Sequence, residues 1–170
     1  MKKLGIFAIT VALILASSML FVGCGNRNNV TAPTNASVTN VNADATPPVT
    51  HASVTFTTVA TVEEGVTRRY EIRVGTGTYA RFAIIERAAL GTVPATGVVT
   101  VNLQTITGWH NAAMNLENGN RGTAAALPAA TATTADVVAI RAIHQTGTGE
   151  SLERTASSET TATGTWNRRP

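Results

Sequence analysis

Residues 52–74 read Ala-Ser-Val-Thr-Phe-Thr-Thr-Val-Ala-Thr-Val-Glu-Glu-Gly-Val-Thr-Arg-Arg-Tyr-Glu-Ile-Arg-Val, two alternating runs around Glu63-Glu64-Gly65. Period-two alternation over four or more residues is the pattern of a half-buried β-strand. A three-residue connection with glycine at the left-handed position predicts a hairpin. Pairing Val62 with Val66 sets Ala60 opposite Arg68, Thr58 opposite Tyr70, Phe56 opposite Ile72 and Val54 opposite Val74, an almost wholly apolar face. The other face carries Thr57 opposite Glu71, Thr55 opposite Arg73 and Val59 opposite Arg69. A slip of one residue turns Phe56 and Ile72 into water, so burial sets the register. One face in and one face out predicts an antiparallel sheet covering a core on one side.

Downstream, the same reading continues. Residues 79–86 are expected as a strand with Ala80, Phe82 and Ile84 inward, the rival being a helix with Phe82, Ile85 and Ala89 as its stripe and Gly91 at its end. Gly97–Thr107 reads as a strand with Val99, Val101 and Leu103 on one face. Trp109–Arg121 reads as irregular connection or short helix, and the Ala/Thr-rich stretch 123–135, which contains Pro128, as a long loop. Val137–His144 alternates again, and its β-branched content favours strand. Thr160–Trp166 is a last candidate, with Ala162 and Trp166 on one face. Five or six short strands joined by Gly/Thr turns predict an all-β fold, an antiparallel β-sandwich, immunoglobulin-like or an open barrel, over residues 52–170.

Upstream of that domain the chain changes character. Gly25–Thr50 is rich in Asn, Thr, Ala and Pro, so residues 24–51 are expected to be a flexible tether. As a coil of about 26 residues it spans roughly 25–30 Å. Before it, Lys2 and Lys3 precede an apolar core from Leu4 to Ala16, then Ser17-Ser18 and Leu20-Phe21-Val22-Gly23-Cys24. A positive start, an apolar run and a small residue before the boundary make an export signal over residues 1–23. These residues resemble the signal peptide and lipobox of bacterial lipoproteins, with Phe21 where leucine is commonest. The resemblance implies cleavage before Cys24 and lipid on that thiol and the new amino terminus. The other reading is an uncleaved anchor, since Leu4–Val22 is 19 residues long and about 20 apolar residues span a bilayer. Both leave Lys2 and Lys3 inside and everything after Cys24 outside. The expected location is therefore the cell membrane or the outer membrane, with the mature domain extracytoplasmic.

Composition narrows the partners. Of 13 basic residues two are Lys2 and Lys3, which leaves 11 arginines against 10 acids after cleavage, a net charge of +1. A near-neutral chain without lysine is a poor match to nucleic acid, which demands a basic patch. The expected partners are the membrane, through the N-terminal lipid, and a protein or glycan at the cell surface. With one cysteine no disulfide framework is available, so burial must hold the fold.

Few residues suggest chemistry. Val74-Gly75-Thr76-Gly77-Thr78-Tyr79-Ala80 has the form G-x-G-x-x-A, but the preceding run carries Arg68, Arg69 and Arg73 and no acid follows about 20 positions on to hold a ribose. A turn between strands is the better reading, and no cofactor is expected. His51, His110 and His144 have no second ligand at zinc spacing, so no metal is expected. Asp136 and His144 lie eight residues apart on one predicted strand, roughly 26 Å, too far for a hydrolase dyad. No catalytic residue is assigned, and the enzyme alternative is an envelope hydrolase with its site among the loops holding Trp109, His110 and Asn111. Candidate binding residues are Trp109, His110 and Asn111, with Trp166, because amphipathic rings beside loops often anchor contacts. The bland reading is that both indoles plug the ends of the sandwich.

Overall fold

The computed structural model describes residues 29–42, 50–58, 64–76, 79–91, 97–129, 134–149 and 152–168. Its strands are β1 (Thr34–Asn42), β2 (Thr50–Thr57), β3 (Val66–Gly75), β4 (Arg81–Glu86), β5 (Val98–Asn102), β6 (Trp109–His110), β7 (Thr134–Thr146), β8 (Glu153–Ala156), β9 (Thr160–Thr161) and β10 (Trp166–Arg168). Two antiparallel sheets pack face to face without closing into a barrel, the all-β sandwich expected from the alternation. The small sheet has the order β1-β2-β5, and the large one β10-β7-β3-β4-β6.

The central hairpin is not there. β2 pairs with β1 and β5, whereas β3 pairs with β7 along its whole length and with β4 on its other edge. The predicted ribbon over residues 54–74 is thus split between the sheets. The inward face is nonetheless the one that the alternation predicts: Val54, Phe56, Tyr70, Ile72 and Val74 are buried in one core. Phe56 and Tyr70 meet as tilted rings with centroids 5.2 Å apart, and the Thr58 and Tyr70 hydroxyls lie 2.6 Å apart. Those contacts run across the sandwich, not along a ladder. Alternation decides which side chains a strand buries, but it does not decide through which edge the strand pairs.

A second correction concerns the expected tether. Residues 34–42 form β1 and Thr50 opens β2, so the sandwich begins well before residue 52. Val30, Pro33 and Ala36 are buried. The disguise is a bulge: Thr34 pairs with Thr57 but Ser37 with Thr55, and Asn35 takes up the extra residue with φ of 51°. Asparagine tolerates that left-handed backbone better than most residues.

The ambiguous segment 79–90 resolves into β4 followed by a 3-10 helix, Arg87–Leu90. Its inward residues are Ala83, opposite Ile72, and Ile85, opposite Tyr70; the expected Phe82 and Ile84 lie on the other face, opposite Arg73 and Glu71. The parity is set by the β3–β4 connection, which pairs Val74 with Arg81. The strand expected over 97–107 stops at Asn102, whose side chain accepts from the Gln104 amide and caps a 3-10 helix, Leu103–Thr105. Val99, Val101 and Leu103 are nonetheless buried as expected. In β7, Val138, Ile140 and Ala142 face the core. The tail was expected as one strand and is instead three short ones, β8, β9 and β10, laid in turn along the outer edge of β7. It also reaches β1, where the Val38 amide donates to the Thr163 carbonyl at 2.9 Å. One side of the sandwich is thereby sealed, which protects edges that would otherwise invite pairing.

Candidate functional site

The four candidate binding residues do not form one site. Trp109 and Trp166 sit on β6 and β10, the two opposite edges of the large sheet. Both indoles are buried in the core, so the expectation of exposed aromatic anchors is corrected. Their burial adds large apolar contact at both edges of the large sheet. The Arg168 guanidinium lies 5.7 Å from the Trp166 ring centroid. His110 is half-buried, with Nδ1 2.9 Å from the Gly122 carbonyl, and Asn111 is exposed with its amide donating to the Thr123 carbonyl. These bonds fasten residues 122–125 along β6, and none of the three described cavities is lined by Trp109, His110 or Asn111. Cys24 lies outside the described residues. Among the described residues no helix is long and apolar enough to cross a membrane, and no three His, Cys, Asp or Glu side chains come together as a metal site.

His144 pairs with Arg68, whose Nε donates to its Nε2 at 2.8 Å. The glycine string after β3 begins the connection to an antiparallel neighbour, and the Ala80 amide donates to the Val74 carbonyl at 3.1 Å. Residues 77–78 of that string lie outside the described residues.

Two features were not singled out in the sequence. The first is a buried carboxylate. Glu71 has no solvent exposure, although it lies on the outer face of the large sheet. Its Oε1 accepts from Arg141 Nε at 2.8 Å and lies 3.4 Å from Arg73 Nε, and its Oε2 accepts from the Met114 amide at 2.9 Å. Arg73 also pairs with Glu159 and lies over the Tyr79 and Phe82 rings, 5.2 and 4.7 Å from their centroids. Charges removed from water must be paired and hydrogen-bonded, and here each carboxylate oxygen has a donor. Burial pushes the Tyr79 phenol above its ordinary range; a hydrogen bond with Thr161 acts the other way, and Glu159 adds to the rise. The cluster ties the loop at Met114 and the tail at Glu159 down onto the sheet. The signal was present: Glu71 is the lone acid of β3, Arg141 the lone arginine of β7, and the register sets them opposite.

The second is a groove of about 530 Å³ on the side away from the tail. Ile84, Ile85, Leu90, Val101 and Ile106 supply its apolar wall, and Glu86, Thr100 and Asn102 its polar rim. β6 covers β4 only at Phe82 and Ala83, so among the described residues no strand lies beyond 84–86, and β5 is the last described strand of the small sheet. Two strand edges, one from each sheet, therefore border a groove of mixed polar and apolar lining. That is the chemistry an extended peptide meets when it adds to a sheet. Glu86, the acid on the rim, is paired with Arg69 at 3.0 Å. Comparison with family models, with curated proteins and with solved structures finds no match to this chain.

Proposed function

We propose that the chain is exported, cleaved before Cys24 and lipid-anchored, and that its sandwich serves a binding, adhesion or envelope-structural role on the outward side of the cell membrane or outer membrane. The observation that carries this reading is the order Lys2-Lys3, apolar core Leu4–Ala16 and Leu20-Phe21-Val22-Gly23-Cys24. Two features support it. The core is made without a disulfide, so the domain does not depend on the redox state of its surroundings. Two or more acyl chains hold a protein on a bilayer where one is marginal, at about 0.8 kcal/mol per buried CH₂. Mass spectrometry of the mature amino-terminal peptide tests the reading: a diacylglyceryl mass on Cys24 is expected. Cys24→Ser should move the protein from the membrane fraction to the soluble or unprocessed one. An unmodified thiol on a chain that keeps Met1 ends the proposal.

The groove favours a second reading, in which the chain is an assembly factor or protease inhibitor that offers a sheet edge to a surface protein. Among the described residues no strand pairs beyond 84–86 or on the outer side of 98–102, and a partner strand would add there. Thr100→Pro removes a backbone donor from that edge strand. Loss of a stoichiometric partner from membrane extracts, with the circular dichroism spectrum unchanged, is the expected result; retention of the partner rules this edge out.

A further inference from the structure

Residues 115–120 read Asn-Leu-Glu-Asn-Gly-Asn and lie in the connection between β6 and β7. The loop is closed by its own asparagines. The Glu117 amide donates to Asn115 Oδ1 at 3.0 Å, the Asn115 amide to the Asn120 carbonyl at 2.6 Å, and the Asn120 amide to Asn118 Oδ1 at 3.0 Å. Asn118 is exposed, and of all the chain's asparagines it alone is followed by glycine. Gly119 has φ of 68°, a left-handed backbone that glycine adopts without steric cost. Arg154, on β8, packs its guanidinium where a side chain at 119 would stand: Cζ, Nη2 and Nη1 lie 2.5, 2.6 and 2.7 Å from the Cβ position. Cβ and N share one Cα, so the cation is within about 5 Å of the Gly119 nitrogen. Arg154 Nε donates to Gln145 Oε1 at 3.3 Å, which holds it there.

We propose that Asn118-Gly119 is a self-modifying site: Asn118 loses its side-chain amide through attack by the Gly119 nitrogen, and Arg154 promotes the step. Hydroxide takes the Gly119 amide proton, and the nitrogen bonds to Asn118 Cγ while the carbonyl electron pair moves onto Oδ1. The oxyanion collapses and the Cγ–Nδ2 bond breaks. Ammonia leaves with a proton from water, and a five-membered imide remains. Water then opens the imide at either carbonyl. The products are an aspartate at position 118 and its isomer, in which the main chain runs through Cβ. One water enters and one ammonia leaves, with no change of oxidation state.

Three features of the fold favour this chemistry. No side chain at 119 blocks the approach of its nitrogen to Cγ. The Asn120 amide already donates to Oδ1, so the negative charge that gathers there meets a placed hydrogen-bond donor. A cation close to an amide nitrogen favours its deprotonated form, and Arg154 brings one from 35 residues further along the chain. Glu117 and Glu153, the acids that share a shallow cavity with Arg154, are exposed, and solvent screens their opposing charge. The product sets a carboxylate beside the Arg154 guanidinium and lowers the formal net charge from +3 to +2, 13 basic residues against 11 acids. The site works whichever way the amino terminus is processed.

The test incubates the purified full chain in neutral buffer of low ionic strength and follows the tryptic peptide 88–121 by mass spectrometry. That peptide holds Asn102, Asn111, Asn115, Asn118 and Asn120. Conversion of amide to acid is expected at Asn118 within days, as two isomers that elute apart, while the other four asparagines stay amide. Arg154→Gln should slow the conversion several-fold in the folded protein and leave it unchanged in urea, where the two residues are no longer neighbours. Added salt should slow the unsubstituted protein towards the variant, an arm that needs no substitution. An Asn118 that stays amide overturns the proposal, and so does a folded-state rate that neither Arg154→Gln nor salt alters.

Discussion

The outer faces of the two sheets are built on the same alternation and end in opposite environments. On the small sheet, Thr39, Ser53 and Asn102 form one row and Ser37, Thr55 and Thr100 the next, with Val98 beyond them 41 % exposed. No described residue of that face is charged, and the face is open; the Thr55 and Thr100 hydroxyls lie 3.0 Å apart in solvent. On the large sheet, the corresponding face carries Arg69, Glu71, Arg73 and Arg141, and it is covered. Charged residues thus lie under loops while uncharged hydroxyls meet water. A polar strand face is compatible with either fate. What decides is whether another part of the chain brings complementary donors or acceptors. The Met114 amide and Glu159 do so on the large sheet, and no described segment does on the small one.

Substitutions can break that contrast. Glu71→Ala has the largest expected effect, about 3–5 kcal/mol, because it leaves the largely buried Arg141 guanidinium without its carboxylate and the Met114 amide without its acceptor, while Arg73 keeps only Glu159. The midpoint of urea unfolding should fall accordingly, against a typical total of about 5–15 kcal/mol. A change below 1 kcal/mol would mean that the cluster is solvated in practice.

Tyr79→Phe sharpens the comparison through pH. The folded-state pKa of Tyr79 is raised, chiefly by burial, so its protonated form contributes stability that is lost as pH rises through the folded value. The native protein should lose stability on the alkaline side above the ordinary tyrosine range, and Tyr79→Phe should flatten that limb while leaving neutral pH little changed. Thermal unfolding from pH 8 to 11 compares the two.

Thr100→Arg has the smallest expected effect, within about 0.5 kcal/mol, since it adds a charge to an open face where nothing is buried. A loss of several kcal/mol there would show that the hydroxyl face is covered in solution.

Much of the core was legible before the structure. Phe56, Tyr70, Ile72 and Val74 stand at alternate positions, as do Val138, Ile140 and Ala142, and all are buried. β1 was missed because its inward residues are small or weakly apolar, Ala36 and Val38, and because Pro33 and the bulge at Asn35 interrupt the pattern. The parity of β4 was missed because Phe82-Ala83-Ile84-Ile85 is apolar on both faces, which is what a strand covered on both sides requires. A place beside a loop does not distinguish an exposed indole from a buried one, and Trp109 and Trp166 are buried. The groove could not be read at all, since Ile84, Val101 and Ile106 come from separate parts of the chain.

By itself, the sequence determined which side chains turn inward along its clearest runs, the absence of a disulfide framework, and the order Lys2-Lys3, apolar run and Gly23-Cys24 on which the functional proposal rests. These are local properties, expressed in the spacing of neighbours and the identity of a few residues. Only the tertiary structure decided that β2 and β3 belong to different sheets, that Glu71 is buried, and that Val30 belongs to the core. A strand offers two edges that are nearly alike in hydrogen bonding, so the choice of partner depends on how all the described strands bury their faces at once.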